Sequence, residues 1–221
     1  MTSLRWHLPG GVIVACSVAA DGDQRQADVR GAWCEQVGVS RALVVPRQVH
    51  GALVVETGAS AEELAVADGV VSVDGTHAVG AYGADCPGVC IVAGAAIGIA
   101  HGGWRGTAAG IVGRLVDRLR LAAPSVSTEG WSALIGPGIS GRRYEVDAPV
   151  LSSRIWPASS LAPARPGHAH LDLAAAIASD LAAAGIRDIR RSGICTFEDE
   201  RLWSFRRRGA GQVQVLAAWR E

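Results

Sequence analysis

The sequence predicts a mixed-sheet α/β sandwich on three observations: many short β-branched runs, two stretches of helical period, and no regular alternation between the two kinds. Strand runs outnumber helical ones, which argues against a doubly wound parallel sheet. At 221 residues and 49% hydrophobic, the chain can close one sizeable core without a second domain. A single domain over residues 1–221 is therefore expected.

In chain order, the strand candidates are Val12 to Val14, Leu43 to Val45, Leu53 to Val55, Val70 to Val73, Val89 to Val92, Ala96 to Ala100 and Val213 to Ala217. Gly, Pro and Asp punctuate them. The first lies in an apolar stretch from Gly10 to Ala20, the one candidate export signal. That stretch is flanked by a lone Arg5 and holds two glycines, so it reads as a strand. Thr107 to Leu121 reads as a helix, with Ile111, Leu115, Val116 and Leu119 on one face and Arg114, Asp117, Arg118 and Arg120 elsewhere. Leu171 to Ala184 reads as a second, Ala-rich helix, and Gly185 stops it. Between them, Ser152 to Ala169 holds Pro157, Pro163 and Pro166 with little periodicity, and is expected to be a surface loop.

Charge and cysteine usage narrow the classes. The 21 basic and 21 acidic residues balance, and every basic residue is Arg. No polycationic field points to nucleic acid or to an anionic membrane as partner. No apolar run approaches the roughly 18 residues of a membrane span. Cysteines at 16, 34, 86, 90 and 195 are odd in number and lack a disulfide-framework spacing, so reduced thiols and a cytoplasmic location are expected. The oligomeric state is left open.

Three stretches place a ligand or nucleophile beside glycines at the end of an apolar run: Arg47-Gln48-Val49-His50-Gly51, Ala84-Asp85-Cys86-Pro87-Gly88 and Ala100-His101-Gly102-Gly103-Trp104-Arg105-Gly106. Strand ends followed by tight turns are where rigid frameworks present active groups. Two imidazoles and a thiolate, from His50, His101 and Cys86, make a three-ligand zinc site with a fourth position open. A lone Cys in an apolar run is usually inert, and a lone His after a strand usually satisfies a carbonyl. The three together, 36 and 15 residues apart, leave the metal site and the structural reading evenly matched. Cys90, in the strand run that follows Cys86, reads as core. His168 and His170 read as solvent-exposed.

These stretches resemble, in order, motifs of the YfiH family, once called multicopper polyphenol oxidoreductases or laccases. Gln48-Val49-His50-Gly51, Ala84-Asp85-Cys86 and the His101 stretch match its first three. Ile135-Gly136-Pro137 with Tyr144-Glu145-Val146 resembles the fourth, and Cys195-Thr196 with Ser204-Phe205-Arg206-Arg207 the last. The resemblance runs from about Arg47 to the C-terminus. It implies a fold of the YfiH and cytotoxic necrotizing factor-like type, zinc held by His50, Cys86 and His101, and a purine nucleoside substrate. It further implies phosphorolysis of adenosine, inosine or methylthioadenosine, and deamination of adenosine. The residues suit that chemistry. Zinc lowers the pKa of a bound water to about 7, as deamination requires. Arg105 and Arg206 are candidates for the phosphate dianion, although either could serve a structural salt bridge. Asp85 could orient an imidazole or a substrate hydroxyl, or cap a turn. Gln48 and Tyr144 complete the candidate substrate-binding set.

The chain departs from the family at its N-terminus. Leu8-Pro9-Gly10-Gly11-Val12-Ile13 lacks the usual Gly-Gly-Val-Ser turn and Ser-Leu-Asn-Leu stretch, and Phe197-Glu198 stands where a second Cys is usual. Three rival readings share the residues. One is a cysteine hydrolase with Cys86 as nucleophile and His101 as base. Another is a peptidoglycan-editing accessory protein. The third, copper-dependent phenol oxidation, is disfavoured because six histidines are few for a multicopper site.

Overall fold

The computed structural model describes residues 3–57, 66–209 and 211–221. In chain order the strands and helices are Leu4–Leu8 (β1), Val12–Cys16 (β2), Ala27–Val37 (α1), Leu43–Val44 (β3), Val54–Glu56 (β4), Gly69–Ser72 (β5), Ala78–Gly83 (β6), Gly88–Ala93 (β7), Ala96–His101 (β8), Trp104–Ala108 (α2), Ile111–Ala122 (α3), Ser132–Ile135 (β9), Glu145–Val146 (β10), Ala148–Leu151 (α4), Leu161–Pro163 (β11), Ala169–Leu171 (β12), Leu173–Ala183 (α5), Asp188–Arg191 (β13), Phe205–Arg208 (α6) and Gln214–Arg220 (β14). A five-stranded sheet runs β1-β2-β14-β6-β3 and a six-stranded sheet β13-β9-β7-β8-β5-β4, with β10-β12-β11 as a small third sheet. Both large sheets are mixed: β3 pairs with β6, β4 with β5 and β13 with β9 in parallel, the remaining pairs being antiparallel.

Side-chain alternation sets the layers. In β7, Val89, Ile91 and Ala93 pack on the helix side with Leu115 of α3 and Ile177 of α5, whereas Cys90 and Val92 face the five-stranded sheet. Both faces of β7 and β8 are covered, so these strands read as continuous apolar runs. On the far side, Trp33 of α1 packs on Ile13, Ala217 and Trp219. The order is thus α1, five-stranded sheet, six-stranded sheet, then α3 and α5. Cys90 is fully buried in the layer between the sheets, and burial pushes its thiol up to about 12. It is core, as expected.

Two expectations need correction, and one helix is an addition to them. The helix placed over residues 107–121 is two helices, because Gly110 at φ 83 adopts a left-handed conformation that ends α2 and starts α3. The run that includes Ser152 to Ala169 is not all loop: β11 and the first residue of β12 lie within it, with Pro163 on an edge strand where its missing N–H is tolerated. α1 was not expected, since Trp33 and Val37 are its only buried residues and give no periodic stripe. Among the described residues, no helix is long and apolar enough to cross a membrane.

Candidate active site

The site forms at the open end of the β7–β8 hairpin. Gly88 at the start of β7 pairs with His101 at the end of β8, which sets Cys86 beside the imidazole despite the intervening residues. The start of β5 lies against the same end, since Gly69 pairs with Ala100 and the His101 amide donates to the Asp68 carbonyl at 2.7 Å. The turn after β3 brings in His50. The ligand atoms of His50, Cys86 and His101 all lie within 4.8 Å of one another, and the two imidazoles meet edge to face with centroids 4.7 Å apart.

Asp68 organises the imidazoles. Its buried carboxylate accepts the amides of Val49 (3.1 Å), His50 (2.8 Å) and Gly51 (2.7 Å), and lies 3.1 Å from Nδ1 of His101. Three successive N–H groups converging on one anion hold His50 at φ 61. Asp85 does the corresponding work beside the thiol. At φ 93 it accepts the Thr196 hydroxyl at 2.6 Å and the Arg206 amide at 2.7 Å, tying the Cys195 turn and the first turn of α6 to the Cys86 loop. His50 and Asp85 are the two non-glycine residues with positive φ among the described residues, and both adjoin this cluster. Such conformations cost about 1–3 kcal/mol each and persist where surrounding contacts over-determine them. Sequence reading missed Asp68. Its signal, an acid before Gly69 at the start of an apolar run, is that of an ordinary turn residue.

Electrostatics favour a thiolate. Burial pushes the Cys86 thiol up, but the adjoining imidazoles of His101 and His50 outweigh it and bring the group down to about 7. Burial likewise pushes His101 down, and the Asp68 carboxylate and Cys86 together raise it to about 9. Asp68 itself is held below the usual carboxylate range: burial opposes this, while His101 and the Gly51 and Val49 amides prevail.

The donor set fits a metal ion. Bonds of about 2.0–2.3 Å to nitrogen and sulfur bring tetrahedral ligands roughly 3.5 Å apart, a small contraction of this cluster. Nδ1 of His101 faces Asp68, which leaves Nε2 toward the other ligands. Gly103 borders the cluster, where an added Cβ would stand 3.1 Å from Cys86 Sγ and 3.2 Å from Cε1 of His101. The Gly103→Ala variant is therefore expected to keep its fold and lose on the order of tenfold in affinity for a metal ion at this cluster. Competition titration against a chromophoric chelator reads this directly, and an unchanged affinity contradicts the close approach.

Of the other sequence-predicted residues, Arg206 and Arg105 lie within electrostatic reach of Tyr144, as Cys86 does, and Gln48 bonds to the backbone of β6. Tyr144 is 8% exposed; burial raises its hydroxyl to about 12, and the charges of Cys86, Arg206, Asp85 and Arg105 all act on it. The Arg206 guanidinium sits 4.8 Å from the Tyr144 ring and donates to the Glu145 carbonyl at 3.1 Å, while Arg105 stacks on Trp104 at 4.4 Å. No carboxylate bridges either guanidinium among the described residues. Gln48 instead pairs through both amide atoms with the Tyr82 backbone, at 2.7 and 3.0 Å, and anchors the His50 turn to β6. His168 is bonded to Arg165, and His170 to the Gly141 carbonyl. A cleft of ≈ 560 Å³ lined by Gly141, Arg142, Ser160, His170 and Cys195 does not include the three candidate ligands.

The profile of the family described as multi-copper polyphenol oxidoreductase laccase matches residues 15–220. A Xylella fastidiosa protein named purine nucleoside phosphorylase is 34% identical over 203 residues, covering 85% of this chain and 76% of its own. The crystal structure of YlmD from Geobacillus stearothermophilus superposes with a TM-score of 0.86 at 27% identity, covering 100% of this chain and 97% of that one. The Bacillus licheniformis YfiH structure gives 0.87 at 22% identity over 100% and 97%, a likeness of fold.

Proposed function

Because the chain belongs to the YfiH family of laccase-domain proteins, whose relatives carry the name purine nucleoside phosphorylase, we propose that it is a zinc-dependent purine nucleoside phosphorylase that also deaminates adenosine. The observation that carries this reading is the convergence of His50, Cys86 and His101 beside the Tyr144–Arg206 pair. Thiolate and imidazole donors suit zinc, and copper is the less favoured alternative because the cluster supplies three ligands for a single ion. When bound, zinc supplies Lewis acidity to the reacting centre.

The chain's own groups supply the rest. Arg206 and Arg105 offer guanidinium forks to a phosphate dianion, and the Tyr144 ring borders the same space. In phosphorolysis a phosphate oxygen bonds to C1′ of the ribose as the bond from C1′ to the purine nitrogen breaks. The electron pair leaves with the base, which takes up a proton. Adenosine and inosine then yield free base and ribose 1-phosphate, and methylthioadenosine the methylthioribose 1-phosphate. A nucleoside panel assayed with and without phosphate tests this. Free base is expected to form only with phosphate, and a rate unchanged in phosphate-free buffer excludes phosphorolysis.

A second reading rests on the Cys86, His101 and Asp68 chain, which has the nucleophile, base and orienting-acid order of a cysteine hydrolase. Elemental analysis of protein purified without added metal separates the two. About one zinc per chain supports the first reading, since a thiol nucleophile needs no stoichiometric ion.

A further inference from the structure

The two imidazoles reach the cluster from segments far apart in sequence, one on a turn and one on a strand end. A single buried side chain touches both. Besides its four carboxylate contacts, Asp68 donates its own amide to the Leu53 carbonyl at 3.0 Å and accepts the His101 amide on its carbonyl at 2.7 Å. Backbone and side chain of one residue thus clamp the His50 turn to the end of β8. No other acid among the described residues contacts both segments.

We propose that Asp68 is the positioning residue of the metal centre: its carboxylate folds the His50 turn around itself and fixes the His101 ring so that both imidazoles face the ion before it arrives. The inference rests on the metal-site reading. Its chemistry follows from what the carboxylate offers, which is acceptors on both oxygens and no donor. Oδ1 receives the His50 amide and faces Nδ1 of His101, while Oδ2 receives the Val49 and Gly51 amides. An asparagine of the same shape has one acceptor and one NH2 group, and neither orientation satisfies the site. With the NH2 toward the turn, it opposes the Val49 and Gly51 donors and releases His50 from its left-handed conformation. With the NH2 toward His101, it requires Nδ1 as acceptor, which moves the ring proton to Nε2, the nitrogen needed by the metal.

The test compares zinc affinity of the wild-type chain and Asp68→Asn by chelator competition, with circular dichroism as the check on folding. The variant is expected to bind zinc about 10–100-fold more weakly, the usual consequence of removing a partner behind a ligating imidazole. Cobalt loading adds a readout that a purely structural role leaves alone: the visible ligand-field bands of the variant are expected to shift, since the ligands around the ion differ. Equal zinc affinity and identical cobalt spectra in a folded variant overturn the proposal. If wild type itself binds no metal, the metal reading fails first, and the two failures are distinct. Should Asp68→Asn not fold, hydrogen exchange in the metal-free wild type decides the matter. The Val49, His50 and Gly51 amides are expected to be protected without metal. Rapid exchange that slows only when zinc is added would show that the ion, and not Asp68, orders the turn.

Discussion

Replacing Cys86 with alanine is expected to reduce zinc from about one ion per chain to background and to remove nucleoside turnover together. The thiolate is the one anionic group among the three proposed ligands, and without it only two imidazoles remain, His101 at the end of β8 and His50 on the turn after β3. Loss of several kcal/mol of Lewis-acid stabilisation corresponds to roughly 10³-fold or more in rate, at about 1.36 kcal/mol per factor of ten. Cys90→Ala is the matched control. That thiol lies between the sheets, so its removal is expected to lower stability while zinc content and turnover per folded chain persist. Elemental analysis and a phosphorolysis assay on both variants check the pair, and full activity in Cys86→Ala contradicts the metal reading.

The second large effect concerns stability. Leu115→Ala is expected to destabilise the fold by about 2–5 kcal/mol, a substantial part of the 5–15 kcal/mol typical of a native domain. Leu115 is fully buried on the face of α3 that packs on β8, where its side chain lies beside Gly98 in the same buried cluster as Ile91, Ala100 and Leu119. The cavity opens beneath the strand that ends in His101, so local loosening is expected to reach the site as well. Urea unfolding followed by circular dichroism measures the loss. A change below about 1 kcal/mol would contradict a rigid layer at this position, since such a value implies collapse of the surroundings into the space.

Much of this architecture was legible because burial leaves a periodic trace. β7, β8 and α3 announced themselves since their faces are committed to packing: continuous apolar runs for strands covered on both sides, a single stripe for the helix. α1 and β1 left no such trace. α1 buries only two residues, and β1 leaves four of its five residues partly or fully exposed. β13 pairs in parallel at the sheet edge through a sequence of Asp, Ile and two arginines, which no strand pattern marks.

The candidate site divides in the same way. His50, Cys86 and His101 stood out because glycines and chain turns flank them, and the resemblance to YfiH motifs ordered them into one set. Asp68 stayed hidden because its role depends on four contacts from segments that only tertiary structure assembles. Gln48 shows the converse. Its place in a motif suggested a substrate contact, and nothing in its sequence context marks the further role the fold assigns it, a pair of bonds between both amide atoms and the Tyr82 backbone. From sequence Asp85 reads as an orienting group or a turn cap, and its buried carboxylate instead receives two bonds from distant segments, the Thr196 hydroxyl and the Arg206 amide, which no local pattern marks.

X-ray absorption spectroscopy of the zinc-loaded protein examines the coordination itself. One sulfur scatterer at about 2.3 Å and two imidazole nitrogens at about 2.0–2.1 Å, with one light atom completing the shell, is the expected result. A shell without sulfur, or one with two sulfurs, contradicts a centre built from His50, Cys86 and His101.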